Sequence, residues 1–438
     1  MLTAFGRAFR TPDLRKKILF TLAIMGLFRL GSVLPAPGVN YQAVHACVTQ
    51  TKDSSVYGLI NLFSGGALLQ LSVFALGIMP YITSSIIIQL LVVVIPRLER
   101  LKEQGQAGQA KLTQNTRYLT IALAILQSTG IVALARGSVP RLFGGACTNP
   151  ILYSESVFRI TVLVAVMTAG TAFIMWLGEL ITDRGIGNGM SLLIFTSIAS
   201  RFPSQGSQIL QTKGAATFVM VLILGLAIIT LIVFMEQGQR RIPVQYAKRM
   251  IGRRMYGGTA TYIPLKVNQA GVIPVIFSSS LLYLPQLLSQ VWSSNTTFTN
   301  FVATYFTRGT EWPYILTYGL LTIFFTYFYV AITFNPVEVS DNMRKYGGFI
   351  PGIRPGRPTA EYLEYVLSRI TFQGALYLTA VAVLPIIAIA FLPGGSAGTG
   401  QSFPFGGTSV LILVGVGLDT SKQIESQLML RNYEGFLR

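Results

Sequence analysis

An all-α polytopic membrane protein is the fold class this sequence predicts, and three observations predict it. Of the 438 residues, 51% are apolar and only 11% are Asp, Glu, Lys or Arg, against about a quarter charged in water-soluble domains. Apolar runs of roughly 20 residues, the length of helix that crosses about 30 Å of hydrocarbon, recur along the whole chain. The basic residues between those runs alternate between rich and poor segments, as they do when Lys and Arg are retained on the cytoplasmic side.

Taken in order, the runs lie near 18–35, 74–95, 118–135, 157–177, 189–202, 215–235, 269–291, 313–334, 370–392 and 408–419, which gives ten spans. The first follows a basic start (Arg7, Arg10, Arg15, Lys16, Lys17) and no small-residue cleavage site comes after it, so it is read as a retained span. The apolar stretch at 59–95 is too long for one crossing and is interrupted by Ser64, Gly65 and Gly66, which predicts a re-entrant half-helix followed by a true span. The remaining runs are helices by length, because backbone donors and acceptors in lipid must be satisfied within each segment. The fifth and tenth are short and carry Gly or Ser; short helices at corresponding places point to a pathway between inverted repeats, with one half ending near 205 and the other beginning at 206.

The charge count tests this parse. The net charge of +18 divides unevenly: the poor segments hold Lys52, Arg136, Arg141, Arg201, Lys213 and Arg308, and the rich ones hold all the others except Arg29 and Arg159, which lie in or at the edge of spans. Both termini fall on the rich, cytoplasmic side, in an inner-membrane orientation. The two long rich loops, about 237–267 and 335–368, mix basic residues with glycine and proline and read as a docking surface, since topology alone needs fewer charges. Such projections suit an acidic protein surface or a phosphate backbone, and charge does not choose between them.

Enzymatic chemistry finds no support. There is one histidine, His45, no nucleotide-binding loop ending in Gly-Lys-Ser/Thr and no metal-ligand cluster, so no cofactor or metal is expected. GIGNGMS at 185–191 is glycine-rich, but no strand precedes it, and it reads as a tight turn between two spans. The spans nearly lack the buried ionisable groups that ion-coupled transport needs. Arg29 and Arg159, at span edges, are able to snorkel to an interface. A small-solute transporter built from inverted repeats is the alternative reading, since it also explains many spans and short helices. Cys47 and Cys147 fall in the first two outer loops, on an oxidising side where a disulfide is permitted if the two come close.

Six stretches together resemble the SecY family: GSVLPAPGV at 31–39, NLFSGGAL at 61–68, ALGIMPYI at 75–82, GIGNGMS, GQRRIPVQYAKR at 238–249 and GGFIPGIRPG at 347–356. The resemblance runs from about Leu14 to the last span. It implies ten helices in two pseudo-symmetric halves, 1–205 and 206–438, around an hourglass pore that conducts unfolded polypeptide. It implies a lateral gate that releases signal sequences and membrane helices into lipid, with Gln127 and Asn268 at polar gate positions. It also implies SecE and SecG as companion subunits and SecA or a ribosome as the driving partner, the ribosomal RNA meeting the basic loops. Arg253, Arg254 and Arg354 would make those partner contacts.

Spacing places Ile78 and Ile82 on one helical face. By their place in the family motifs, Ile194, Ile276 and Ile412 would join them in an aliphatic ring at the bilayer midplane. A half-helix at about 59–71 (Asn61, Leu62, Phe63, Ser64, Gly65, Gly66, Ala67, Leu68) would sit beneath the ring as a plug.

Overall fold

A computed structural model describes residues 9, 11–50, 64, 66–68, 70–135, 150–153, 156–246, 249–251, 254–256, 260–291, 296–302, 305, 312–391 and 407–434. Each of the ten predicted stretches contains a helix. They are α1 (Pro12–Val33), α3 (Met79–Val94), α5 (Gln106–Ala135), α6 (Val157–Arg184), α7 (Gly189–Ala199), α8 (Phe202–Gln237), α9 (Ile273–Val291), α11 (Trp312–Thr333), α13 (Arg357–Phe391) and α14 (Gly407–Glu434). Shorter helices are α2 (Tyr41–Gln50), α4 (Pro96–Glu103), α10 (Thr296–Val302) and α12 (Pro336–Lys345). Among the described residues, five helices are long and apolar enough to cross a membrane, or six if α3 and α4, bent by 100° at Ile95, count as one.

The differences from expectation follow from what an apolar window cannot register. α13 and α14 extend well past the predicted 370–392 and 408–419, so the tenth helix has 28 residues while the fifth, α7, has 11. The extensions are polar, and a hydropathy window ends where charge begins although helical hydrogen bonding does not. Most of the predicted half-helix at 59–71, including Asn61, Leu62, Phe63 and Gly65, lies outside the described residues; Ser64, Gly66, Ala67 and Leu68 are in turns, and a mostly turn segment at 70–78 leads to α3 at Met79. That turn segment is tied to the end of α1 on both sides of Ser72, by Ala36 N donating to Leu71 O (3.0 Å) and Val73 N to Leu34 O (3.0 Å). Of the two cysteines, Cys147 also lies outside the described residues.

The GIGNGMS turn joins α6 to α7 with close backbone contact. Asn188 caps α7, its Oδ1 accepting from Met190 N (3.1 Å) and Ser191 N (3.3 Å), as expected of an Asn at a helix N-cap. A Cβ on Gly189 would stand 1.8 Å from Gly178 O, so only glycine lets α7 approach α6 this closely. Gly189→Val is therefore expected to cost about 1–3 kcal/mol or more, read as a fall in thermal stability of the purified protein. Gly26→Ala, where an added Cβ meets nothing within 4 Å, is the matched control and should leave stability nearly unchanged.

The all-α expectation is corrected in the two long loops. β1 (Gln239–Tyr246) pairs antiparallel with β4 (Ala260–Lys266) and, at its far end, with β5 (Gly348–Phe349), giving sheet order β4-β1-β5; β2 (Arg249–Ile251) pairs with β3 (Arg254–Tyr256). Pro243, which lacks a donor, is tolerated in β1 because β5 reaches only Gln245 and Tyr246. Alternate residues Ile242 and Val244 point into a small core with Leu265, Met343, Ile350, Leu363 and Val366. Two loops about a hundred residues apart thus become one folded module.

Candidate functional site

Aliphatic side chains from four separate elements meet in one cluster. Ile78 (2% exposed), the N-cap of α3, Ile194 (6%) of α7, Ile276 (5%) of α9 and Ile412 (1%) of α14 belong to it, and the half-buried Ile82 packs against it. Ile82 N donates to Ile78 O (3.1 Å), which sets the two side chains one turn apart on one face. Phe28, Phe74 and Leu177 complete one wall, and Phe28 and Phe74 stack with centroids 6.0 Å apart. Aliphatic side chains such as these five isoleucines offer an ion nothing in exchange for its hydration shell.

Leu68, one of the residues expected to form a plug, lies in a different cluster. Leu68 and Leu71 pack with Val39, Ala124, Val132, Ile151 and Met167, against α5 and α6. Ser64 is buried and its Oγ accepts from Leu68 N (3.2 Å), which closes the turn. Here the structure adds a residue that sequence reasoning read only as a loop charge. The guanidinium of Arg201, between α7 and α8, lies 3.4 Å from where a Cβ on Gly66 would stand, and Arg29 of α1 is near enough for the two like charges to repel. Its basic character in a charge-poor segment was the available signal.

The two gate candidates have different surroundings. Gln127 is half-buried on α5. Asn268 is 3% exposed, and its Nδ2 donates to Glu236 Oε1 at the end of α8 (2.5 Å) and to Gly271 O (3.1 Å), while its Oδ1 has no partner among the described residues. No hydrogen bond joins Gln127 to Asn268. Glu236 is a second residue that sequence reasoning missed; a single carboxylate in the last turn of an apolar helix was its trace.

Of the three basic partner candidates, Arg354 is exposed at the tip between β5 and α13, and its side chain makes no hydrogen bond or ion pair among the described residues. Arg254 begins β3, paired with Ile251, and Arg253 lies outside the described residues.

Comparison with known proteins places the chain in a family. A family model described as SecY matches residues 72–421. The protein translocase subunit SecY of Streptomyces galbus is 62% identical over 447 residues, and that of Mycobacterium tuberculosis 61% over 447, with 100% of each chain covered in both cases. Among solved structures, a protein-conducting channel superposes with TM-score 0.60 at 15% identity, and a SecY structure concerned with its plug domain with 0.63 at 16%. Canine Sec61 in a ribosome-channel complex gives 0.56 at 15%. In each case 94% of this chain and 91% of the other are covered. A family model matching most of the chain, relatives above 60% identity along its full length and a shared fold have one common explanation: the chain is a membrane protein and belongs to the SecY family.

Proposed function

We propose that the chain is the protein-conducting subunit of the bacterial protein translocase, passing unfolded secretory polypeptide through the bilayer and releasing hydrophobic helices sideways into lipid. The observation that carries this reading is the full-length family match together with an aliphatic cluster drawn from α3, α7, α9 and α14. Its ten spans form two inverted halves, 1–205 and 206–438, around an hourglass pore, with both termini on the cytoplasmic side of the inner membrane. Ile78, Ile82, Ile194, Ile276 and Ile412 form the constriction, and the segment at 61–68 is the plug beneath it. Such a ring resists ions by withholding polar partners, while flexible side chains still close around a moving chain.

Gln127 and Asn268 sit on the lateral gate, where the Asn268–Glu236 bond ties the start of α9 to α8 while the gate is closed. The energy for transport lies in the partners. SecA or a ribosome docks on the sheet module, with contacts through Arg253, Arg254 and Arg354, the ribosome offering RNA phosphate to them. SecE and SecG are the companion subunits, and the chain itself is not an enzyme. The family match lends the small-solute transporter no support.

A photoreactive side chain introduced at Ile276 is expected to cross-link to a stalled secretory polypeptide, whereas one at Phe324, on the exposed face of α11, is not. Equal labelling at both positions, or none at Ile276, would show that the polypeptide does not pass the cluster.

A further inference from the structure

We propose that the buried hydroxyls of Ser340 and Thr359 are positioning residues that fix the shape of the Arg354 loop before a partner arrives. The inference rests on the reading of Arg354 as a partner contact. The segment from 350 to 356 reads IPGIRPG, with two prolines and with Gly352 and Gly356 at φ +83° and +104°. On its own such a segment samples several turn types. One backbone bond closes it locally, from Ile353 N to Ile350 O (3.0 Å).

What holds its far side comes from side chains on two different helices. Ser340 Oγ of α12 donates to Gly356 O (2.7 Å), and Thr359 Oγ1 in the first turn of α13 donates back to Arg354 O (2.8 Å). Both residues are 2% exposed, whereas Arg354 stands in solvent. Neither hydroxyl is needed to form its own helix. Gly356 O already accepts from Thr359 N (3.0 Å) and Ala360 N (3.2 Å), so the bond from Ser340 acts across 16 residues to set the loop against α12. A hydroxyl aimed at the carbonyl of Arg354 fixes the Cα from which the guanidinium projects. Ordering the loop in advance removes that cost from docking, because apparent affinity falls in proportion to the fraction of molecules holding the competent shape.

The assay is import of a denatured secretory precursor into vesicles carrying the whole channel complex, with SecA titrated. Thr359→Val and Ser340→Ala are each expected to raise the half-saturating SecA concentration about five- to tenfold, with the rate at saturation unchanged, and Thr359→Ser to restore the original value. Arg354→Glu in the same titration supplies the reference. If Arg354→Glu raises the half-saturating concentration and both hydroxyl variants leave it unchanged, the positioning role is overturned and the docking reading stands. If Arg354→Glu changes nothing, the docking reading fails and the inference falls with it. Loss of rate at saturation in Thr359→Val that Thr359→Ser does not rescue also overturns the role, since that pattern marks a packing defect.

Discussion

Replacing Ile82 and Ile194 together with glycine is expected to turn an electrically silent resting channel into a leaking one. The two side chains come from α3 and α7 and meet the same aliphatic cluster, Ile194 buried and Ile82 half-buried. A constriction lined by such groups excludes ions by being narrow and by offering no polar partner, so removing two of its members widens it and admits water. The energetic margin is adequate. Truncating a buried isoleucine typically forfeits about 2–5 kcal/mol of closed-state packing, and a tenfold shift toward an open state needs only about 1.4 kcal/mol. The closed state loses contacts that the open state lacks, so the population moves toward open. Planar-bilayer recordings at zero driving partner should show conductance about tenfold or more above the parent, and defective signal sequences should begin to pass. Deleting 61–68 tests the plug separately, because Leu68 packs in a different cluster from the isoleucines. A silent double-glycine variant would sink the ring, and a silent deletion would sink the plug.

Arg354→Glu is expected to slow SecA-driven translocation about tenfold or more at fixed SecA while the channel stays folded. The side chain is exposed and makes no ion pair among the described residues, so its loss should change stability by no more than about 0.5 kcal/mol. Reversing a charge that meets a complementary partner replaces attraction with repulsion, and like-charge contact at an interface costs several kcal/mol. The neighbouring Arg357 differs. It pairs with Glu361 one turn on (3.0 Å), both largely exposed, and such a pair contributes little. Arg357→Ala should therefore leave translocation near the parental rate. Normal rates for Arg354→Glu with both SecA and ribosomes would exclude the contact.

The helices were legible because partition into lipid is decided locally. A run of about 20 apolar residues has to satisfy its own backbone wherever it sits, so composition alone marked every stretch in which α1, α3, α5–α9, α11, α13 and α14 lie. The pair Ile78 and Ile82 was legible for the same reason, since helical spacing is a local property. The tight turn at 185–191 was legible through its glycines, whereas the cap that Asn188 gives α7 came only with the structure.

What remained belongs to the tertiary structure. Contact between isoleucines of α3, α7, α9 and α14 is non-directional and leaves no mark in any one segment, so only packing brings Ile412 to Ile78. The pairing of β1 with β5 joins residues about a hundred apart, which no local pattern encodes. The bonds from Ala36 N to Leu71 O and from Val73 N to Leu34 O join two separate segments and so left no local mark either. Asn268 gained Glu236, the carbonyl of Arg354 gained the hydroxyl of Thr359, and that of Gly356 gained the hydroxyl of Ser340. The sequence by itself determined where the apolar helices lie, because that depends on each segment's own composition and backbone bonding. Which side chains meet was decided by the tertiary structure, because packing energy exists only between segments.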